Sequence, residues 1–141
     1  MIGNVRWRPL TGFLIAVLTM GPALSSPVHA ETAQVTVQPM TSFRLPDLPG
    51  KSVSLVRVSF PPNAVSTQHR HAGTVTAFIL SGSIRSQITG GSAKVYKAGE
   101  SFFEPPGVVH LVAENVSSTE PAELLAIFIA DDGATLTTNT Q

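Results

Sequence analysis

Beyond residue 30 the chain carries only three histidines, His69, His71 and His110, and it has no cysteine anywhere. The fourth histidine, His29, lies in the N-terminal segment. Neutral imidazole is the commonest metal ligand among side chains, and a chain without thiols has few other ways to hold a transition metal firmly. His69-Arg70-His71 sets two imidazoles two residues apart. In an extended strand such residues point to the same face, about 6.6 Å apart along the chain, so both rings can grip one ion. His110 comes from a separate segment, Gly99 through Ser101, Phe102, Phe103 and Glu104 to Pro105-Pro106-Gly107 and back through Val109. Proline fixes φ and glycine relieves the turn, so this segment reads as a strand, a tight turn and a returning strand that presents His110 at a defined place. An H-x-H pair alone is equally consistent with two exposed histidines. The second segment favours a shared site.

The elements that must position these rings are short. From Ser52 onward apolar runs are cut by Pro and Gly: Val53–Phe60, Thr74–Leu80, Ile84–Ile88, Ala93–Tyr96, Ser101–Glu104, Val109–Ala113 and Leu124–Ala130. Runs of this length with turn residues about every 8–12 positions predict an all-β sandwich or small barrel, and no stretch offers an amphipathic helix of useful length. Alternation puts Val56, Val58 and Phe60 on one face of the first run and Arg57 and Ser59 on the other. In the third run Arg85 and Gln87 oppose Ile84, Ser86 and Ile88, so Arg57, Arg85 and Gln87 either meet solvent or line a pocket. Phe78, Phe102, Phe103 and Phe128 are expected in the core or a dimer interface, and Tyr96, the sole tyrosine, in packing or as a hydrogen-bond donor in the pocket.

Residues 1–30 have a secretory layout: Arg6 and Arg8, an apolar run from Leu10 to Met20, then small residues up to Val28-His29-Ala30. An apolar region of roughly 7–15 residues with an A-x-A-like end predicts cleavage after Ala30 and a periplasmic or secreted product, with an uncleaved anchor as the alternative. Removing residues 1–30 from the 141 leaves 111, enough for one small domain. Of that, residues 31–51 read as an extended lead-in able to supply an edge strand, residues 52–130 as the domain, and residues 131–141 as a loose tail. The mature part has seven basic and nine acidic residues, a net charge of −2. That argues against nucleic acid and gives no support to attachment at an anionic membrane. Without disulfides, stability must come from burial, from a metal or from a second copy, and the low charge of runs such as Leu124–Ala130 at a sheet edge predicts a homodimer.

The histidine-bearing segments resemble the two motifs of the cupin superfamily. His69, His71 and Gly82 match the first motif, and Gly99, Pro105, Gly107 and His110 match the second, so that the resemblance spans roughly Ser52 to Ala130. It implies an all-β double-stranded β-helix, a jelly-roll barrel, with a divalent metal held at the barrel mouth by the matched histidines.

Three positions depart from that pattern. Asn63 stands in place of the opening glycine of the first motif, a mild change because Asn tolerates turn conformations. Glu114 stands where the second motif ends in Asn, with Asn115 one place later. The position of the metal-binding Glu holds Val75, with Thr76 at the alternative spacing. Valine cannot ligate, and three readings stand open. The ion is held by three neutral histidines alone, resembling the three-histidine iron sites of cupin thiol and diketone dioxygenases; or another carboxylate replaces the missing one; or the site is degenerate and empty. Glu104 is the best replacement because it closes the strand that faces His110 across the Pro-Pro-Gly turn, whereas Glu114 lies about 13 Å along the strand from His110. A bare three-histidine site leaves the ion its full charge and favours an anionic ligand, and a carboxylate ligand lowers that charge. The expected function is that of a metal-dependent, dioxygenase-like enzyme using Fe(II) or Mn(II), with Zn(II) or Ni(II) as other options, on a small anionic or oxygen-rich organic molecule. Glu104 is the candidate acid/base, and Arg57 or Arg85 would orient a substrate carboxylate if either faces inward. A non-catalytic ligand- or metal-binding module is the alternative. Asn115-Val116-Ser117 also fits the N-glycosylation pattern.

Overall fold

Alternating apolar and polar side chains bury one face of a strand and leave the other wet, and this sequence repeats that arrangement with Pro, Gly and Asn at the corners. In a computed structural model, which describes residues 34–140, the result is ten strands and, among the described residues, no helix. They are β1 (Thr36–Arg44), β2 (Lys51–Phe60), β3 (His69–His71), β4 (Thr74–Ser81), β5 (Ser83–Ile88), β6 (Lys94–Lys97), β7 (Ser101–Glu104), β8 (Val109–Asn115), β9 (Ala122–Asp131) and β10 (Thr137–Asn139). The expected signal segment, residues 1–30, lies outside the described residues.

Two antiparallel sheets form, one in the order β1-β2-β9-β4-β7 and the other β10-β3-β8-β5-β6. Their inner faces make the core: Val56 and Phe60 of β2, Val75, Ala77 and Ile79 of β4, and Leu124 and Phe128 of β9 meet Ile84 of β5 and Ala113 of β8. The all-β expectation holds, and every one of the seven apolar runs is a strand. Gly82, between β4 and β5, has φ +71°, and a Cβ there would meet Ala122 Cβ at 2.7 Å, so the turn requires glycine for both conformation and space. Asn63 also takes a positive φ, 59°, in the link from β2 to β3.

Several expectations are corrected. Leu124–Ala130 is not a sheet edge: β9 is hydrogen-bonded to β2 on one side and β4 on the other, which removes that ground for a homodimer. Phe102 and Phe128 are buried in the core; Phe78 and Phe103 point outward from β4 and β7 and are exposed, because strand alternation places them opposite the core-facing Ala77 and Phe102, so of the two places expected for them only the core is ruled out. The segment after Ala130 is not a loose tail throughout. Its residues 137–139 pair with β3, Thr137 opposite His71 and Asn139 opposite His69, and so form an edge beside the histidines.

Candidate metal centre

The three histidines meet because β3 pairs with β8. His69 is the direct cross-strand partner of His110, and His71 sits two residues along the same face. The ring centroids of His69 lie 4.8 Å from those of His71 and 5.1 Å from those of His110. The β7–β8 turn is closed by Gly107, at φ +75°, whose N–H donates to the His71 carbonyl at 3.0 Å, tying the second histidine segment to the first.

Backbone and hydroxyl groups aim the rings. His69 Nδ1 donates to the Thr67 carbonyl at 2.7 Å, and His71 Nδ1 lies 3.1 Å from both the Leu136 carbonyl and Thr137 Oγ1. A carbonyl can only accept, so each Nδ1 carries the proton and each Nε2 keeps its lone pair for the cluster. His110 instead bonds Ser86 Oγ through Nε2 at 2.8 Å and turns Nδ1 toward Glu104. Burial holds the pKa values of His69 and His71 below the usual histidine value; the Thr67 hydrogen bond partly opposes this at His69, and the Glu104 carboxylate does so at His71. Both are therefore neutral at neutral pH, as metal ligation requires.

One ligand atom from each histidine lies within 4.8 Å of the others, among the described residues the one such cluster. Two nitrogens sharing an ion at about 2.1 Å cannot be more than about 4.2 Å apart, so the rings need to shift by only a few tenths of an ångström. Glu104 enters the same space: its Oε2 lies 3.1 Å from His110 Nδ1 and 3.7 Å from His71 Nε2. Despite that approach, Glu104 Oε2 and His110 Nδ1 are both buried without an aligned hydrogen bond. An uncompensated carboxylate in such a place costs several kcal/mol unless a cation meets it, so the donor set fits a divalent metal.

The source of that carboxylate lies in the register of β4 and β7. Val75 and Glu104 are direct cross-strand partners, both almost wholly buried on the inner face. Side chains so paired have Cβ atoms about 4.5–5.5 Å apart, so a carboxylate at 104 reaches the space one at 75 would have served.

Other expected site residues are placed elsewhere. Arg57 and Arg85 are on the outer faces, Arg57 exposed and Arg85 paired with Glu114, because both alternate with core-facing neighbours. Neither can orient a substrate carboxylate in the interior. Gln87 Nε2 donates to the Gly91 carbonyl, and Tyr96 packs on Phe102 with centroids 5.0 Å apart. Asn115 is buried, donating to the Glu120 carbonyl at 2.8 Å and accepting from Ser117 N at 2.9 Å, so the glycosylation pattern is sequestered as a structural bracket. The residues that sequence reasoning missed are Ser86 and Thr137. Ser86 left one signal, a hydroxyl on the apolar face shared with Ile84 and Ile88, which when buried needs a partner.

Behind the cluster a cavity of about 920 Å³ opens between the sheets, with all three histidines and Glu104 on its wall. That volume is ample for a small organic molecule.

Comparison with known proteins follows this geometry. No curated protein sequence matches the chain. Among solved structures, a conserved double-stranded β-helix protein from Klebsiella pneumoniae superposes with TM-score 0.61 at 19% identity, over 79% of this chain and 88% of that one. An oxalate oxidase bound to the substrate analogue glycolate gives TM-score 0.61 at 22% identity over 79% of this chain. A DMSP lyase from Ruegeria pomeroyi gives 0.55 at 23% over 62%. The chain spans only 57% of that oxidase and 43% of that lyase, and at such identities the likeness shows the fold. The sequence profile of the cupin domain matches residues 56–128, more than half of the chain and the part that holds all three histidines, and the protein therefore belongs to the cupin family.

Proposed function

We propose that the protein is a metal-dependent cupin enzyme of the dioxygenase type, acting on a small organic substrate. The observation that carries this reading is the buried Glu104 oxygen, without a hydrogen bond, beside three histidines at the wall of an open cavity. His69, His71 and His110 hold the ion, and Glu104 supplies the carboxylate that this chain lacks at Val75, the position of the first motif's Glu. When bound, Fe(II) or Mn(II) supplies open coordination positions and one-electron chemistry toward dioxygen. In a dioxygenase both oxygen atoms end in the product, so the substrate itself provides the electrons and no separate reductant is needed. The chain's own part is to fix three neutral imidazoles through Thr67, Leu136, Thr137 and Ser86, to lower the net charge of the centre through Glu104, and to keep bulk water from the interior with the apolar wall. The solved oxalate oxidase and DMSP lyase show that this fold supports enzymes. The same proposal includes export, with the expected cleavage after Ala30.

One observation favours a non-catalytic binding module instead: among the described residues, apart from Glu104 and the histidines, no ionisable side chain lines the cavity. Metal analysis of the purified mature protein, followed by anaerobic loading with Fe(II) and oxygen-uptake assays across a panel of small organic compounds, separates the two. The enzyme reading expects about one ion per chain and substrate-dependent oxygen uptake. Retained metal with no uptake for any compound supports the module, and failure to retain Fe(II), Mn(II), Zn(II) or Ni(II) overturns the metal site itself.

A further inference from the structure

The wall of the cavity is chemically one-sided. Its apolar surface comes mainly from the inner face of the β1-β2-β9-β4-β7 sheet, with Val56, Val58, Phe60, Leu124 and Phe128 turned into it, while the other sheet contributes Ala113 and the histidines. Ala77, Ala113 and Ala126 also face into it, and their small side chains leave the space that larger ones would fill. Among the described residues no lysine or arginine lines the cavity, and Glu104 is the only acidic side chain there. Neutral polar groups come from the link before β3, with Asn63, Ser66 and Thr67, from Thr135 ahead of β10 and Thr137 and Asn139 within it, and from Gln34 ahead of β1.

We infer that the site takes a molecule with one oxygen-donor head and an apolar alkyl or aryl body, and that it discriminates against dicarboxylates long enough to carry their second carboxylate away from the ion. This rests on the reading of the histidine cluster as a metal site. A single ionised head beside the metal has its charge compensated there. A second carboxylate on the same molecule would lie against valine, alanine and phenylalanine with no cation to meet it, and an unpaired charge in such surroundings is heavily penalised. An apolar body gains instead, since each methylene moved from water to this wall strengthens binding by about threefold to fourfold. Glu104 sharpens the choice by removing one unit of positive charge from the centre, which leaves less attraction for a second anionic group.

The test uses chain-length series of known compounds. Mature protein loaded with Mn(II) is titrated calorimetrically under nitrogen with straight-chain hydroxamic acids from aceto- to hexanohydroxamate, and with hexanoate and adipate, which share head and chain length and differ in the second carboxylate. The expected result is affinity rising about threefold per methylene, with adipate at least about tenfold weaker than hexanoate. A flat hydroxamate series, or adipate that binds within about tenfold of hexanoate, overturns the inference. Protein that does not retain Mn(II) fails the metal reading alone. In that case the metal-free protein is titrated with 1-butanol through 1-octanol: affinity that grows with chain length upholds the apolar wall as the selector, and a flat series overturns it.

Discussion

Glu104 and Val75 exchange roles across a strand pair. The valine fills a core position with no polar demand, while its partner brings a buried carboxylate to within 3.1 Å of His110 Nδ1 and 3.7 Å of His71 Nε2. A carboxylate so placed is costly without a cation and useful with one, so Glu104→Gln should have opposite effects in the two states. In metal-free protein it removes an unpaired buried charge and should stabilise the fold by about 1–3 kcal/mol. In loaded protein it should weaken metal affinity by more than the roughly 10–100-fold typical of lost outer-shell partners. Denaturation with and without metal, together with competition against a chelating dye, reads both effects; the same sign in the two states would remove Glu104 from the centre. Much of this was legible in the sequence. The histidine spacing and the Pro-Pro-Gly hairpin pointed to His69, His71, His110 and Glu104 as neighbours. The direct Val75–Glu104 pairing was not, because β4 and β7 are brought together by chain topology and no local pattern records which strands become neighbours.

At the scale of elements, the strands whose faces differ in polarity were readable, and those held by backbone pairing alone were not. Most of the seven apolar runs alternate between core and solvent, so period-two patterning finds them; β6 buries none of its residues and was legible only as Val95 and Tyr96 between turn residues. β10 has all three side chains exposed and pairs with β3 through its main chain, so hydrophobicity carries no trace of it. Yet this strand and its entry supply the Leu136 carbonyl and Thr137 Oγ1 that face His71 Nδ1. Both lie beyond residues 56–128, the part that matches the cupin profile. Thr137→Val keeps the shape and removes one of two acceptors; metal affinity should fall by up to about tenfold, the lower part of the range for outer-shell partners. Deleting residues 135–141 removes both acceptors and should weaken metal binding further. Circular dichroism checks that each variant keeps its sheets, and chelator competition measures the metal. Unchanged affinity in both folded variants would show that β10 does not orient His71.

For the molecule as a whole, two sheets enclose an open interior, and the groups that stabilise that interior least when charged are its histidines. Burial lowers the pKa values of His69 and His71 from the ordinary 6.5. As pH falls through about 6.5 the unfolded chain takes up protons at these positions while the folded chain still refuses them, so the unfolded state gains. Their contribution to stability is therefore intact above that pH, declines below it, and stops changing once the folded-state rings protonate as well. The metal follows the same direction, because protons compete for the Nε2 lone pairs. Metal-free protein held in chelator should show little histidine-linked change in melting temperature from about pH 8 to pH 7 and a clear fall between about pH 6.5 and pH 5. His69→Asn, at the partly exposed ring, should flatten part of that fall and leave the part that belongs to His71. Thermal denaturation of both proteins across this range decides it: a melting temperature that rises on acidification, or an identical slope in the variant, would mean that the buried imidazoles do not control the acid stability of this barrel.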